Sequence, residues 1–437
     1  MSSGHIHVSG VAGVGMSALA EALLDQGWRV TGSDRSHDQG VALEVLQKLQ
    51  RQGVELVPQD GAALTAQTKA LAVSTAIEAD NPEVATAHRL GVEIVHRAEM
   101  LARLATGKRV VAVTGTAGKT TITGMLGYLL EQVGFDPTVV NGGIVLDWAG
   151  PARLGNVRRG QSDLWIVEAD ESDRSLLRFH PQHAILSNVS KDHFELAEVQ
   201  NLFRTFARQV SGTMVAGRGV AAPLGIAARE VTVEPMLADG RWTFTWAGRT
   251  FCVSQPGRHN AENAALAVAM CEVLGADLDR VAAALPRFRG VHRRLERVGE
   301  RDGVAIIDDY AHNPAKIAAS WRAVAETSKH VWAYWRPHGF APLALMKDEL
   351  AESIAQVCRP GDHLFLLPVF YAGGTAQRTI TSEDFATLLR SRGVAAEAVP
   401  DYAALAARLA GAQPGDAVLG MGARDPELPQ FARSLAS

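Results

Sequence analysis

The chain has little cysteine, almost no net charge and no long apolar run, and each shortage excludes something. Its 437 residues hold only 3 Cys. Cys252, Cys271 and Cys358 are scattered, odd in number and never in a Cys-x-x-Cys arrangement. That excludes a disulfide framework and a cysteine zinc site, and it fits a reducing compartment. With 43 Lys+Arg against 47 Asp+Glu the formal charge is -4, so there is no electrostatic footprint for a nucleic-acid backbone, although a small pocket for phosphates remains open. No stretch approaches the roughly 18–20 apolar residues needed to span a bilayer. The start, MSSGHIHVSGVAGVG, lacks the cationic and apolar segments of a secretory signal. The expectation is a soluble, cytoplasmic protein with neither a nucleic-acid nor a membrane partner.

Present in quantity are hydrophobic residues, 47% of the chain, and 41 glycines. The length suits two to four domains, with three the central expectation. Three times a short apolar run is followed by a glycine-bearing turn and a helical pattern, the signature of α/β domains with mainly parallel sheets. The first restart is His5–Ser9, with Trp28–Thr31, Ala70–Ser74 and Val92–Val95 continuing the alternation. The second is Arg109–Val113, followed by strands near Leu164–Val167 and Ala184–Ser187, a polar helix after His193, a hairpin over Arg241–Val253 and an Ala-rich helix from Asn260. The third starts near Gly303 with Val304–Ile307 and continues with His330–Trp335, His363–Phe370, Ala395–Val399 and Ala417–Gly420. Domains are expected over 1–107, 108–291 and 292–437: a Rossmann-like N-terminal domain, a P-loop ATPase-like centre and a Rossmann-like C-terminal domain.

The strongest chemical signal is Gly115-Thr116-Ala117-Gly118-Lys119-Thr120-Thr121 between a strand and a helix. Backbone N–H groups and the positive helix N-terminus cradle phosphates, Lys119 reaches the β/γ oxygens, and a hydroxyl of Thr120 or Thr121 faces Mg²⁺. At the end of the next strand, Glu168-Ala169-Asp170-Glu171-Ser172-Asp173 places four carboxylates in six residues. They repel one another unless a cation or solvent screens them, and Mg²⁺ and a solvated loop are the two readings. Asp192-His193 is a second strand-end ligand candidate, although a lone His is more often a satisfied hydrogen-bonder than a ligand. Gly10-x-x-Gly13-x-Gly15, with Asp34 after the second strand, indicates a diphosphate-bearing ligand and does not say which. Asn260 and Asn263 lie three apart on one helix face, and from spacing alone a cap plus a surface polar residue is the better reading. Asp308-Asp309-Tyr310-Ala311-His312-Asn313-Pro314 gathers carboxylates, a phenol and an imidazole at a strand end, either a site or a chance cluster.

Taken together, the motifs resemble the Mur ligases, the ATP-dependent amide-forming family of peptidoglycan synthesis, and within it the alanine-adding and muropeptide-recycling branch. Ten ordered blocks carry the likeness: Gly10–Glu21, Ser74–Glu83, His96–Ala102, Val113–Thr121, Val140–Gly143, Glu168–Ser175, Asn188–His193, Gly257–Asn263, Gly290–Glu296 and Asp308–Pro314. The resemblance implies a UDP-sugar, not NAD, on Gly10, Gly13, Gly15, Met16, Ser17, Asp34 and Ser74. It assigns Gly115, Thr116, Gly118 and Lys119 to the phosphates of ATP, with Lys119 on the γ-phosphate. Thr120, Thr121, Glu168 (or Glu171) and His193 would hold Mg²⁺. His259, Asn260 and Asn263 would line the adenine and ribose side, and Arg294 and Asp309 would complete the nucleotide site. Tyr310, His312 and His338 would face the amine.

The implied reaction activates the carboxylate of UDP-N-acetylmuramate as an acyl phosphate, which an amine then attacks. The amine is L-alanine first and a ready-made tripeptide second. A binding protein that has lost catalysis is the reading from another class. A monomer or homodimer is expected. The chain departs from the family after Pro337-His338, where an Arg-Tyr-Thr-Arg type segment is replaced by Gly339-Phe340-Ala341-Pro342. Neither Gly nor Phe replaces an arginine that grips an α-carboxylate. Arg336 and Lys347 are the nearby substitutes. The segment Leu367–Tyr371 lacks an Asp found in relatives, Ala12 replaces a turn glycine, and Gln59 stands where a histidine is common.

Overall fold

The computed structural model describes residues 4–41, 43–190, 195–371 and 379–436. The chain divides into two compact units. One comprises residues 1–235, 243–254 and 260–291; the other comprises residues 236–242, 255–259 and 292–437.

The first unit contains two large sheets, besides most of the hairpin expected from the sequence pattern, strands Arg241–Trp246 and Arg249–Val253. An all-parallel sheet has the strand order Glu55–Leu56, Arg29–Ser33, His5–Ser9, Thr68–Val73, Glu93–His96. A seven-stranded sheet runs Arg229–Val231, Met214–Gly217, His183–Leu186, Arg109–Thr114, Leu164–Glu168, Thr138–Val140, Val157–Arg158, with only the last strand antiparallel. Val110–Thr114 is buried throughout, as a central parallel strand covered on both faces must be, and this is why its β-branched run shows no alternation. Ile6, Leu19, Trp165, Val167 and Phe203 belong to one apolar cluster, so the two sheets share a continuous core. Asn156 adds a polar tie by donating to Ser17 Oγ at 3.1 Å.

The second unit is built on a six-stranded sheet in the order Glu296–Arg301, Val304–Asp309, Ala417–Gly422, Val331–Arg336, His363–Leu366, Ala396–Ala398. Only its first pair is antiparallel. Side-chain alternation divides its core: Ala333, Trp335, Leu419 and Met421 pack with Trp321 on one face, whereas Tyr334 and Val418 pack with Leu428 on the other.

Several boundaries differ from the sequence expectation. The strand expected over His363–Phe370 stops at Leu366, two residues before Pro368, which has no N–H to donate to a ladder. The strand expected at Trp28 begins at Arg29 and runs on to Ser33. The Ala-rich helix starts at Arg258, so Asn260 is not its cap. The third sheet starts at Glu296, earlier than Gly303.

Candidate active site

The loop between strand Arg109–Thr114 and helix Lys119–Gln132 is clamped by the end of the neighbouring strand. Thr116 Oγ1 and the Ala117 N–H donate to Asn188 Oδ1 at 2.7 and 2.9 Å, while Ser187 Oγ and Asn188 Nδ2 donate to the Ala117 carbonyl at 2.6 and 3.1 Å. Gly115 has φ 130°, and a Cβ there would lie 2.0 Å from Ser187 Oγ. Gly118 caps the helix at φ 84°, and a Cβ there would lie 2.5 Å from Asn263 Oδ1. Both positions therefore require glycine. Asn260 and Asn263 are buried beside the loop, 3.4 Å apart through Nδ2 and Oδ1. His259, one residue earlier, groups with the second unit.

Lys119 is folded back. Its Nζ donates to the Gly115 carbonyl at 3.0 Å and to Glu171 Oε2 at 2.6 Å, with Asp170 at 3.5 Å. Burial opposes charge on this amine, but Glu171 and Asp170 more than offset it and hold its pKa above the ordinary lysine value. Burial likewise opposes charge on Asp170; Lys119 and the Ser172 N–H overcome it and keep the carboxyl below its usual value. Glu168 does different work: it accepts from Thr120 Oγ1 at 2.9 Å and from the Gly142 N–H at 2.7 Å. The acidic run is thus already sorted, with Glu171 on the lysine and Glu168 on the threonine. Thr121 is buried in the same helical turn. Asn141, 2% exposed, has neither atom of its side-chain amide paired among the described residues. His193 lies outside the described residues.

In the N-terminal domain Gly13 is the cap of helix Val14–Asp25, and Gly10 packs on Ile77 from the turn that follows Ser74. Met16 and Ser17 point inward, 3% and 1% exposed, and offer backbone rather than side chains. Asp34 spends its carboxylate on the N–H groups of Ala12 and Ser36, at 3.1 and 2.9 Å, so it fastens the glycine turn from beneath. Arg97, part of the His96–Ala102 block but given no role by it, lies against Gly15: a Cβ on Gly15 would be 2.9 Å from Arg97 Cδ. Its guanidinium also faces Asp173 of the acidic loop at 3.5 Å.

The second unit gathers its own cluster. Tyr310 and His312 stand edge to face at 5.6 Å, and His312 and His338 at 5.3 Å. Arg294 lies 5.8 Å from the Tyr310 ring. Burial, ahead of nearby cations, depresses the His312 pKa to about 4 and also lowers that of His338. Asp309 is buried and accepts from the Leu295 and Ala311 N–H groups and from Ser320 Oγ, at 2.7, 2.8 and 3.0 Å, which makes it an organiser of the loop. Asp308 pairs with Arg293 at 3.0 Å, and its pKa is nevertheless lifted by burial to about 6.

Comparison with known proteins bears directly on these arrangements. Residues 5–109 match the Mur ligase family catalytic domain, 113–220 the Mur ligase middle domain and 293–424 the Mur ligase glutamate ligase domain. The UDP-N-acetylmuramate--L-alanine ligase of a Bradyrhizobium species is 36% identical over 96% of this chain and 95% of its own. The chain belongs to the Mur ligase family. The corresponding ligase of Streptomyces avermitilis is 34% identical over 96% of this chain and 94% of its own. Among solved structures, the UDP-N-acetylmuramate-alanine ligase of Thermotoga maritima superposes with a TM-score of 0.80 at 26% identity, covering 99% of this chain and 98% of that one. A murein peptide ligase of Psychrobacter arcticus shares the fold, with a TM-score of 0.65 at 22% identity over 99% of this chain and 98% of its own.

Against the Mur ligase pattern, the two cations considered as substitutes for the missing arginine segment fare poorly. Arg336 is held by Asp425 and the Pro368 carbonyl, and Lys347 is exposed on helix Phe340–Ala355. Phe340 is buried, with its ring centroid 5.9 Å from that of Tyr371.

Proposed function

We propose that this Mur ligase is an ATP-dependent, ADP-forming enzyme that joins the carboxylate of UDP-N-acetylmuramate to L-alanine in peptidoglycan precursor synthesis. The observation that carries the reading is the sorted loop pair, with Lys119 and Thr120 opposite Glu171 and Glu168, in a chain aligned end to end with ligases named for that reaction.

A carboxylate is a poor acyl donor because it would have to expel oxide, so it first attacks the γ-phosphoryl group of ATP and forms an acyl phosphate. Gly115, Thr116, Gly118 and the helix N-terminus hold the phosphates by their N–H groups, and Lys119 leaves Glu171 to neutralise the transferring group. The Thr120 hydroxyl and Glu168 form the hard oxygen pair that suits Mg²⁺, with Thr121 and His193 as the further ligands implied by the family. Bound there, Mg²⁺ would supply charge neutralisation. The amine then attacks the acyl carbon, and phosphate leaves. Gly10, Gly13, Gly15 and the Met16 N–H bind the UDP diphosphate with Arg97, while Ser17, Asp34 and Ser74 shape that turn. Asn260, Asn263 and His259 serve the nucleoside of ATP, Arg294 its phosphates, and Asp309 orders the loop carrying Tyr310 and His312 toward the amine. We further infer cytoplasmic action as a monomer or homodimer on small-molecule substrates.

The altered segment after His338 lacks the arginines of both branches, so a second reading stands beside the first, in which a ready-made tripeptide replaces L-alanine. Phosphate release with UDP-N-acetylmuramate, ATP and a panel of amines separates the two. Release with L-alanine supports the first reading, release with the tripeptide alone supports the second, and failure of every amine to support release removes both.

A further inference from the structure

Three neighbouring strands frame the carboxyl edge of the second unit's sheet, in the order Val304–Asp309, Ala417–Gly422, Val331–Arg336. Their register pairs Asp309 with Met421 and Arg336 with Gly422. Tyr310–His312, Ala423-Arg424 and Pro337-His338 therefore leave the sheet side by side, where open parallel sheets place ligand groups. His312 and His338 come from the outer two strands, and their rings meet at 5.3 Å across the line of the middle one. The middle strand leads into Arg424.

Arg424 differs from Arg293 and Arg336, which spend their charge on Asp308 and Asp425. The carboxylates around it are taken: Asp308 by Arg293, Asp425 by Arg336 and Tyr402, and Asp309 by three local donors. Arg424 is exposed, makes no ion pair among the described residues, and sits at φ 62°, a left-handed conformation that a side-chain-bearing residue adopts at a disadvantage. Its charge reaches His338, whose pKa is lowered by burial first and by Arg424 second. A guanidinium with no carboxylate partner among the described residues, on a strained turn leaving the same edge as His338, contributes little to the fold and leaves the edge in need of an anion.

We propose that Arg424 receives the α-carboxylate of the incoming amino acid, in place of an arginine from the segment after His338. The guanidinium fork matches a carboxylate through two parallel N–H···O bonds, a geometry lysine does not reproduce. This rests on the ligase reading above and specifies it: the amine substrate is a free amino acid, because the N-terminal residue of a peptide has no free α-carboxylate.

The test compares wild type, Arg424→Ala and Arg424→Lys in phosphate release, with L-alanine and L-alaninamide as amines. In Arg424→Ala the KM for L-alanine should rise roughly 10- to 100-fold, as expected for loss of charge-assisted hydrogen bonds, while the KM values for ATP and UDP-N-acetylmuramate and the melting temperature stay put. Arg424→Lys should recover part of the loss. Wild type should prefer L-alanine to L-alaninamide, and Arg424→Ala should lose that preference, which a merely structural role would not change. An unchanged KM for L-alanine, or a preference that survives in Arg424→Ala, overturns the assignment of Arg424 alone. Preferential use of the tripeptide by wild type overturns it too, and no turnover by wild type with any amine overturns the ligase reading beneath it.

Discussion

Lys119 is the residue on which turnover should depend most sharply. Lys119→Ala should abolish phosphate release yet leave UDP-N-acetylmuramate binding intact by calorimetry; unimpaired release would contradict its place on the γ-phosphate. The loop lysine was legible because strand, glycines, Lys-Thr and helix follow one another in sequence. Its partner was not, because Glu168 and Glu171 are both acidic residues at one strand end and only their packing separates them. Arg97 and Arg424 escaped for a related reason: nothing local marks an arginine whose neighbours come from other strands. His312 and Asp308 carry opposite pH signatures. Between about pH 6.5 and 4 the unfolded chain protonates this imidazole and the folded chain does not, so stability falls as pH falls. Asp308, lifted from 3.8 to about 6, binds the extra proton in the folded state, so its contribution falls as pH rises through that range. His312→Asn, which can still donate to the Tyr310 carbonyl, removes only the first term. Denaturant titrations should show the variant gaining on wild type as pH drops from 6.5 to 4, by up to about 1.4 kcal/mol per unit; parallel profiles would refute this.

At the scale of elements, the buried parallel strands were readable and the edges were not. Val110–Thr114 and Ala417–Gly422 are uninterrupted apolar or small runs closed by glycine turns, whereas Glu55–Leu56 and Val157–Arg158 are two residues long and have no period to read. Glu296–Arg301 is charged at four of six positions and is a strand only through its antiparallel register with Val304–Asp309. Helix Ser382–Ser391 illustrates local control: Thr381 and Asp384 form a reciprocal capping box. Thr381→Ala should destabilise the protein by about 1 kcal/mol in denaturant titrations, with Thr381→Ser close to wild type; an unchanged midpoint in the alanine variant would show the cap to be dispensable.

For the whole molecule, the three successive α/β patterns were evident in the sequence, and the family matches cover all three domains. Sequence could not show that the N-terminal and central domains share one compact unit, because the ties are remote in the chain: Asn156 reaches Ser17 across 139 positions. Arg97 is another such tie, touching the glycine turn with its stem and facing Asp173 of the acidic loop with its charge. A diphosphate held at that turn would compete with Asp173 for the same guanidinium, and a nucleotide that engages the acidic loop would then alter the sugar nucleotide's affinity by the same factor in return, as linkage requires. In Arg97→Ala, UDP-N-acetylmuramate affinity should be lower and should no longer depend on whether nucleotide is present, while wild type shows the dependence; calorimetry in both orders of addition measures it, and equal dependence in the two proteins would defeat the idea. A single side chain would thereby let each substrate site sense the filling of the other before any chemistry begins.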